Sequence, residues 1–331
     1  MGSLPHCTGG VWPINHVSIA IVGLGSMGRV YLQCFRRMEN VSVCAIVSSS
    51  AKPEEFSVYS TLEALFKSEQ PNIVCICTPT YLHVQQARIA LQHGCHVICE
   101  KPLALHRADA EALYELATKQ KRYLFAAQVV RFASSTEWLR DAVYSGRYGT
   151  VREAFFSRLS TMPHWCTGNW AFDHTCSGHV PFDLHIHDLD LMVSLFGPPL
   201  HATCEESGAS ELPFDEHFWF TYEYEDFTIR AEAAWYRASI PFKATWRVAF
   251  ENALALCSDG AVTVYEKNAP PFTIREGYAY ATGFSVPATD MYDKELRYFV
   301  QCCLFDEIPI LLPAEEILTV LGILETLQNK A

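Results

Sequence analysis

Asp183, His187 and Asp190 are spaced i, i+4, i+7, so on a helix they form one polar stripe among Leu184, Leu189, Leu191, Met192, Leu195 and Phe196. A carboxylate one turn from a histidine orients the imidazole and raises its basicity. A histidine near neutral pKa suits proton transfer in step with hydride transfer. The bland alternative is a set of satisfied core or helix-cap residues. A second chemical element is Glu100-Lys101-Pro102, which follows the apolar run His96 to Cys99. A lysine at such a strand end, before a turn-fixing proline, can project towards a reacting oxygen, although most lysines are simply solvated. The third is Gly23-Leu24-Gly25-Ser26-Met27-Gly28.

The glycine loop has the setting that its chemistry requires, a strand before it (Val17 to Val22) and a helix after it. The first glycine permits the tight turn, the second lets the backbone approach a pyrophosphate, and the third lets helix and strand pack closely. The helix N-terminus then offers N–H groups and a favourable dipole to the diphosphate. Gly23, Gly25, Ser26, Met27 and Gly28 are therefore expected to bind a dinucleotide. An acidic residue at the end of the second strand would bind the ribose 2′-hydroxyl and favour NAD. Ser48-Ser49-Ser50 stands there, with Lys52 nearby. Serines and a lysine can receive a 2′-phosphate, so the expectation is NADP or NAD with a slight lean to NADP.

Strands are expected at Val17–Val22, Val41–Val47, Ile73–Cys77, His96–Cys99 and Tyr123–Ala127. Helices are expected at 29–38, 61–67, 81–93 and 108–120. This alternation predicts a doubly wound α/β domain with a parallel sheet over residues 16–128, after a lead-in at 1–15. Ligands bind at the carboxyl ends of such strands, where Thr78-Pro79-Thr80-Tyr81-Leu82-His83 and Glu100-Lys101-Pro102 both fall. Residues 129–331 are richer in alternating strands, at 151–159, 217–224, 228–236 and 244–255. They predict an α+β substrate-binding domain with a large, mostly antiparallel open sheet, preceded by a helix at 136–145 and closed by helices at 291–304 and 314–328.

Several classes of partner are disfavoured. The 331 residues carry 25 basic and 37 acidic side chains, a net charge of −12, so no basic surplus exists for nucleic acid. No apolar run approaches the roughly 20 residues that span a bilayer. The first fifteen residues lack a signal-peptide pattern. Thirteen cysteines without a C-x-x-C pair, several inside apolar strands, point to reduced thiols and a cytoplasmic setting. No metal site is expected, because Asp183, His185 and His187 diverge at i, i+2 spacing on a helix.

The chain resembles the Gfo/Idh/MocA oxidoreductases, the glucose–fructose oxidoreductase and inositol dehydrogenase family. The resemblance rests on GLGSMG, TPTYLH, CEKPLAL, QVVRF from Gln128 to Phe132, and Ser145-Gly146-Arg147-Tyr148-Gly149, and it runs through nearly the whole chain. It implies that Lys101 contacts the reacting hydroxyl or carbonyl of a sugar-like substrate. The family pattern GGxxxDxGxHxxD is similar to Gly178, Asp183, His187 and Asp190, and implies that Lys101, Asp183 and His187 form the catalytic set. His179 and His185 stand where glycine is usual and are expected to reshape the pocket. Thr78, Pro79, His83, Glu100 and Lys101 are expected beside the cofactor. Arg131, Trp165 and Trp170 are candidate pocket residues, the tryptophans as sugar-stacking platforms, against a structural arginine and core aromatics.

The expected activity is hydride transfer between NAD(P) and a secondary alcohol or ketone of a sugar, cyclitol or glycoside. Two alternatives share the fold: redox-assisted glycoside cleavage with a tightly held NAD, and a cofactor-sensing regulator. Aromatics on both alternating faces of His217 to Tyr224 predict a homodimer or homotetramer through the second sheet.

Overall fold

The computed structural model describes residues 16–49, 55–164, 166, 168–206, 216–258, 260–275 and 289–328. The expected lead-in, Ser50, Lys52 and Trp165 lie outside them.

The first half builds β1 (Val17–Val22), α1 (Ser26–Phe35), β2 (Val41–Val47), β3 (Ser57–Tyr59), α2 (Leu62–Phe66), β4 (Ile73–Ile76), α3 (His83–Gln92), β5 (His96–Glu100), α4 (Arg107–Gln120) and β6 (Leu124–Ala127). Its six strands are parallel in the order β3-β2-β1-β4-β5-β6. β4 and β6 are buried along their full length, as strands covered by helices on both faces must be. The order reverses between β1 and β4, which opens a crevice at their carboxyl ends. Gly23, Thr78 and Lys101 all follow strands at that edge. The three-residue edge strand β3 was not expected, since SVY has too little apolar content to stand out.

The second half adds α5 (Ser134–Ser145), β7 (Val151–Thr161), α6 (His174–Ser177), a π-turn at Pro181–His185, α7 (Ile186–Phe196), β8 (His201–Glu206), β9 (Glu216–Glu223), β10 (Thr228–Tyr236), β11 (Lys243–Phe250), β12 (Ala253–Ser258), β13 (Ala261–Glu266), β14 (Phe272–Arg275), α8 (Met291–Phe305) and α9 (Ala314–Gln328). The sheet order is β14-β13-β12-β11-β7-β10-β9-β8, antiparallel except where β10 runs parallel to β7. The expected strand at 244–255 is two strands, β11 and β12, joined at Glu251-Asn252. β9 alternates cleanly. Phe218, Phe220 and Tyr222 point into the core, and the outer face carries Trp219, 40% exposed, with the exposed Glu223. The outer face is therefore less aromatic than the sequence suggests.

The closing helices return to the first domain. α8 packs on α1, and α9 packs on both α4 and α7. Through α9, α7, which carries His187, is tied to α4 of the first domain. Every described cysteine is a free thiol. Among the described residues, no helix is long and apolar enough to cross a membrane.

Candidate active site

The glycine loop fits a dinucleotide by exclusion of side chains. Gly23 has φ +89°, and a Cβ there would stand 2.7 Å from the Cys77 carbonyl oxygen. A Cβ on Gly28 would meet the Gly23 oxygen at 2.0 Å, so this glycine is what lets α1 approach β1. Gly25 differs, because nothing lies within 4 Å of its Cβ position and its φ is an ordinary −70°. The backbone does not need that glycine, and its Cβ position is open space on the outer face of the loop. No side chain caps α1, so its N-terminal dipole faces this exposed surface. Ser26 is exposed beside Gly25, and Met27 packs on the core. Ser48 and Ser49 follow β2, where the ribose of a bound dinucleotide would lie.

His83 is placed differently from the expectation. It is buried, with Nδ1 2.8 Å from the Pro102 oxygen and Nε2 2.8 Å from the Thr78 oxygen. It ties the loop after β4 to the cis Lys101–Pro102 segment and is not free to touch a cofactor. Burial lowers its pKa. The Thr78 hydroxyl donates to Gln86 Oε1 at 2.6 Å, which steadies the same loop. The Glu100 carboxylate accepts the Lys101 N–H at 3.2 Å, and burial raises its pKa.

Lys101 reaches across to the second domain. Its Nζ donates to Asp183 Oδ1 at 3.0 Å and to the Asp183 main-chain oxygen at 2.7 Å. Asp183 is presented by the π-turn and not by regular α-helix. The turn is set up by Gly178, whose φ is +70° and whose Cβ would collide with Phe182 at 2.6 Å. Next to it His179 also adopts a left-handed φ of +56°. A non-glycine residue pays strain there, and its imidazole is held by Glu216 in a close ion pair. Glu216 also accepts the Val180 N–H at 3.3 Å, so one carboxylate secures the entry to the turn. Burial opposes protonation of His179, but the Glu216 hydrogen bond and charge outweigh it and raise its pKa.

His187 sits in the first turn of α7, and its Nδ1 is buried without a hydrogen-bond partner. Burial, then the charges of Lys101 and Arg158, hold its pKa well below the ordinary imidazole range, so it is neutral at physiological pH. Beside it, Asp188 takes a two-pronged contact from Arg158 of β7, at 2.7 and 3.2 Å. Sequence reasoning missed this pair, because Arg158 lies thirty positions away.

Three further candidates separate. Trp170 lines an open cleft with Thr80, Pro102, Ala171, Ser177, Asp183 and Trp235. Arg131 does not reach it. Its guanidinium, 2% exposed, grips Asp190 at 2.6 and 2.7 Å, donates to the Leu311 oxygen at 2.9 Å and pairs with Glu316. Of the two readings of Arg131, the structural one therefore fits its contacts, and Asp190 is its buried partner. His185 is also remote from the cleft. It is fully buried, stacked 3.7 Å from Phe220, with Nε2 2.6 Å from the Tyr222 hydroxyl.

The comparisons with known proteins agree with this layout. Residues 17–128 match the family model for an oxidoreductase family with an NAD-binding Rossmann fold, and residues 136–254 match the GFO/IDH/MocA C-terminal domain. The D-glucoside 3-dehydrogenase of Escherichia coli is 31% identical over 192 residues, 55% of this chain and 54% of that protein. The chain spans about half the length of the curated relatives it matches. Among solved structures, the aldose-aldose oxidoreductase from Caulobacter crescentus superposes with a TM-score of 0.78 at 21% identity, covering 95% of this chain and 97% of that one. The UDP-N-acetylglucosamine 3-dehydrogenase from Acidithiobacillus ferrooxidans does so at 0.76 and 19%, covering 95% and 97%. With both domain models matched in order on the expected halves, the chain belongs to the Gfo/Idh/MocA oxidoreductase family.

Proposed function

We propose that the chain is an NAD(P)-dependent oxidoreductase acting on a secondary alcohol or ketone of a sugar, cyclitol or glycoside. The observation that carries this reading is the Lys101–Asp183 contact at the carboxyl end of β5, open to the tryptophan-lined cleft and one helical turn from a neutral His187. Gly23, Gly25, Ser26, Met27 and Gly28, with Thr78, Pro79 and Glu100 alongside, would hold a dinucleotide, whose nicotinamide would supply the hydride acceptor. Lys101 donates a hydrogen bond to the reacting oxygen and stabilises the charge that develops there. Asp183 keeps the ammonium aimed and balances its charge. His187, neutral, accepts the hydroxyl proton as oxidation proceeds and returns it in the reverse direction. Trp170 supports the sugar ring.

Ser48 and Ser49 offer no carboxylate against a 2′-phosphate, which supports the lean to NADP while accommodating NAD. The large second sheet, with Trp219 exposed on its outer face, supports assembly into a homodimer or homotetramer through that face. A screen of polyols and glycosides with NAD and NADP, following the absorbance of the reduced nicotinamide, tests the reading. Turnover with at least one sugar is expected; tight cofactor binding without turnover of any sugar contradicts it.

A further inference from the structure

The cleft beside Lys101 and Asp183 is walled by two tryptophans and closed in charge. Trp170 and Trp235 both line it, and Tyr81, half exposed on the first domain, stands edge-on to Trp170 with ring centroids 6.4 Å apart. Among the described residues that line it, Asp183 alone carries a charge, and Lys101 neutralises it at 3.0 Å. Of the cations nearby, Arg158 is held by Asp188 at 2.7 Å and Arg131 by Asp190 at 2.6 Å. His179, which does not line the cleft, pairs through Nδ1 with Glu216, and its Nε2 is buried without a hydrogen-bond partner. His174 has its ring 5.1 Å from that of His179, and partial desolvation and then the His179 charge lower its pKa.

We propose that this cleft selects an uncharged sugar ring and rejects sugars bearing a carboxylate or phosphate, with Trp170 and Trp235 as the walls that recognise the ring. A pyranoside offers flat C–H faces to indole rings. An anionic substituent brought in here would give up part of its hydration and meet Asp183 but no cation among the residues that line the cleft, which disfavours it. The inference rests on the oxidoreductase reading above and narrows its substrate class.

The test uses the full chain with NAD or NADP and three probes: methyl β-D-glucopyranoside, methyl β-D-glucuronopyranoside and UDP-N-acetylglucosamine. The neutral glucoside should exceed both anionic sugars in kcat/KM by about tenfold or more. Trp170→Ala and the more conservative Trp235→Phe should each raise its KM roughly two- to tenfold, with cofactor affinity unchanged. Equal or better turnover of an anionic sugar overturns the proposal while leaving the oxidoreductase reading intact, and so do tryptophan variants with unaltered KM. If none of the three sugars is turned over although cofactor binds, the oxidoreductase reading itself is in question. Equilibrium dialysis of the glucoside against the glucuronoside then decides the preference. Tighter binding of the glucoside supports it, and equal or tighter binding of the glucuronoside overturns it.

Discussion

Lys101 Nζ and the two oxygens of Asp183, at 3.0 Å and 2.7 Å, join the end of a parallel strand in one domain to a π-turn in the other, 82 residues along the chain. The contact draws the proposed reacting centre from both domains. It also gives Asp183 a clear task, since the carboxylate aims the ammonium of Lys101 beside a histidine held neutral.

The first prediction concerns Gly25. Because space is open at its Cβ and its φ suits any residue, Gly25→Ala should leave the thermal midpoint of the cofactor-free protein unchanged. It should weaken NAD(P) binding by about tenfold or more, since the methyl occupies the approach of the pyrophosphate. Isothermal titration of both proteins measures this. Unchanged affinity would remove the glycine loop from the cofactor site.

Arg131→Met tests the structural role of the buried pair. It strands Asp190, 1% exposed, without its cation. A cost of about 3–5 kcal/mol in urea unfolding is expected, with substrate preference unaltered in the fraction that folds. A specificity change without loss of stability would return Arg131 to the substrate pocket.

Burial makes several histidines a liability in acid. His185 is held down to about 3 by burial and then by the Arg158 charge, and His96 to about 4 by burial first. Both folded values lie below the unfolded one near 6.5. Above that pH neither state is protonated and stability is complete. Below it the unfolded chain takes up protons that the folded chain refuses, and each group costs up to about 1.4 kcal/mol per pH unit. The urea midpoint should therefore fall between pH 6.5 and 4.5, less steeply in His185→Gln. Identical slopes would show that His185 does not titrate with unfolding.

His179 has the opposite sign. Glu216 raises its folded pKa, so the pair stabilises fully below about pH 6.5 and loses that contribution as pH rises through the folded value. Glu216→Gln should cost on the order of 1 kcal/mol at pH 6 and less at pH 9. Thermal melts at the two pH values check this, and an equal loss at both would mean that Glu216 acts only through the Val180 N–H.

The glycine loop and Glu100-Lys101-Pro102 were readable because local geometry dictates them: Gly23 and Gly28 abut main-chain atoms that exclude a side chain. Arg131 stayed open between pocket and structure because its partners, Asp190 and Glu316, are 59 and 185 positions away. The family pattern, with glycine usual at position 185, pointed His185 towards the pocket, but its ring turns into the sheet against Phe220. Trp235 was missed although a signal existed. Ala233, Ala234 and Trp235 are consecutive buried residues that break the alternation of β10 where the strand reaches the cleft. The spacing of Asp183 and His187 pointed to one helix face, whereas the chain delivers Asp183 from the π-turn that leads into α7.

The most direct test of the account is the rate of nicotinamide reduction by a turned-over sugar in Lys101→Met and His187→Gln, with cofactor affinity measured on the same preparations. Each variant should bind NAD(P) as the parent does and lose about 10²–10³ in kcat, the cost of removing one preorganised donor or base. Wild-type rates in both variants would contradict the assignment of these residues to the reacting centre.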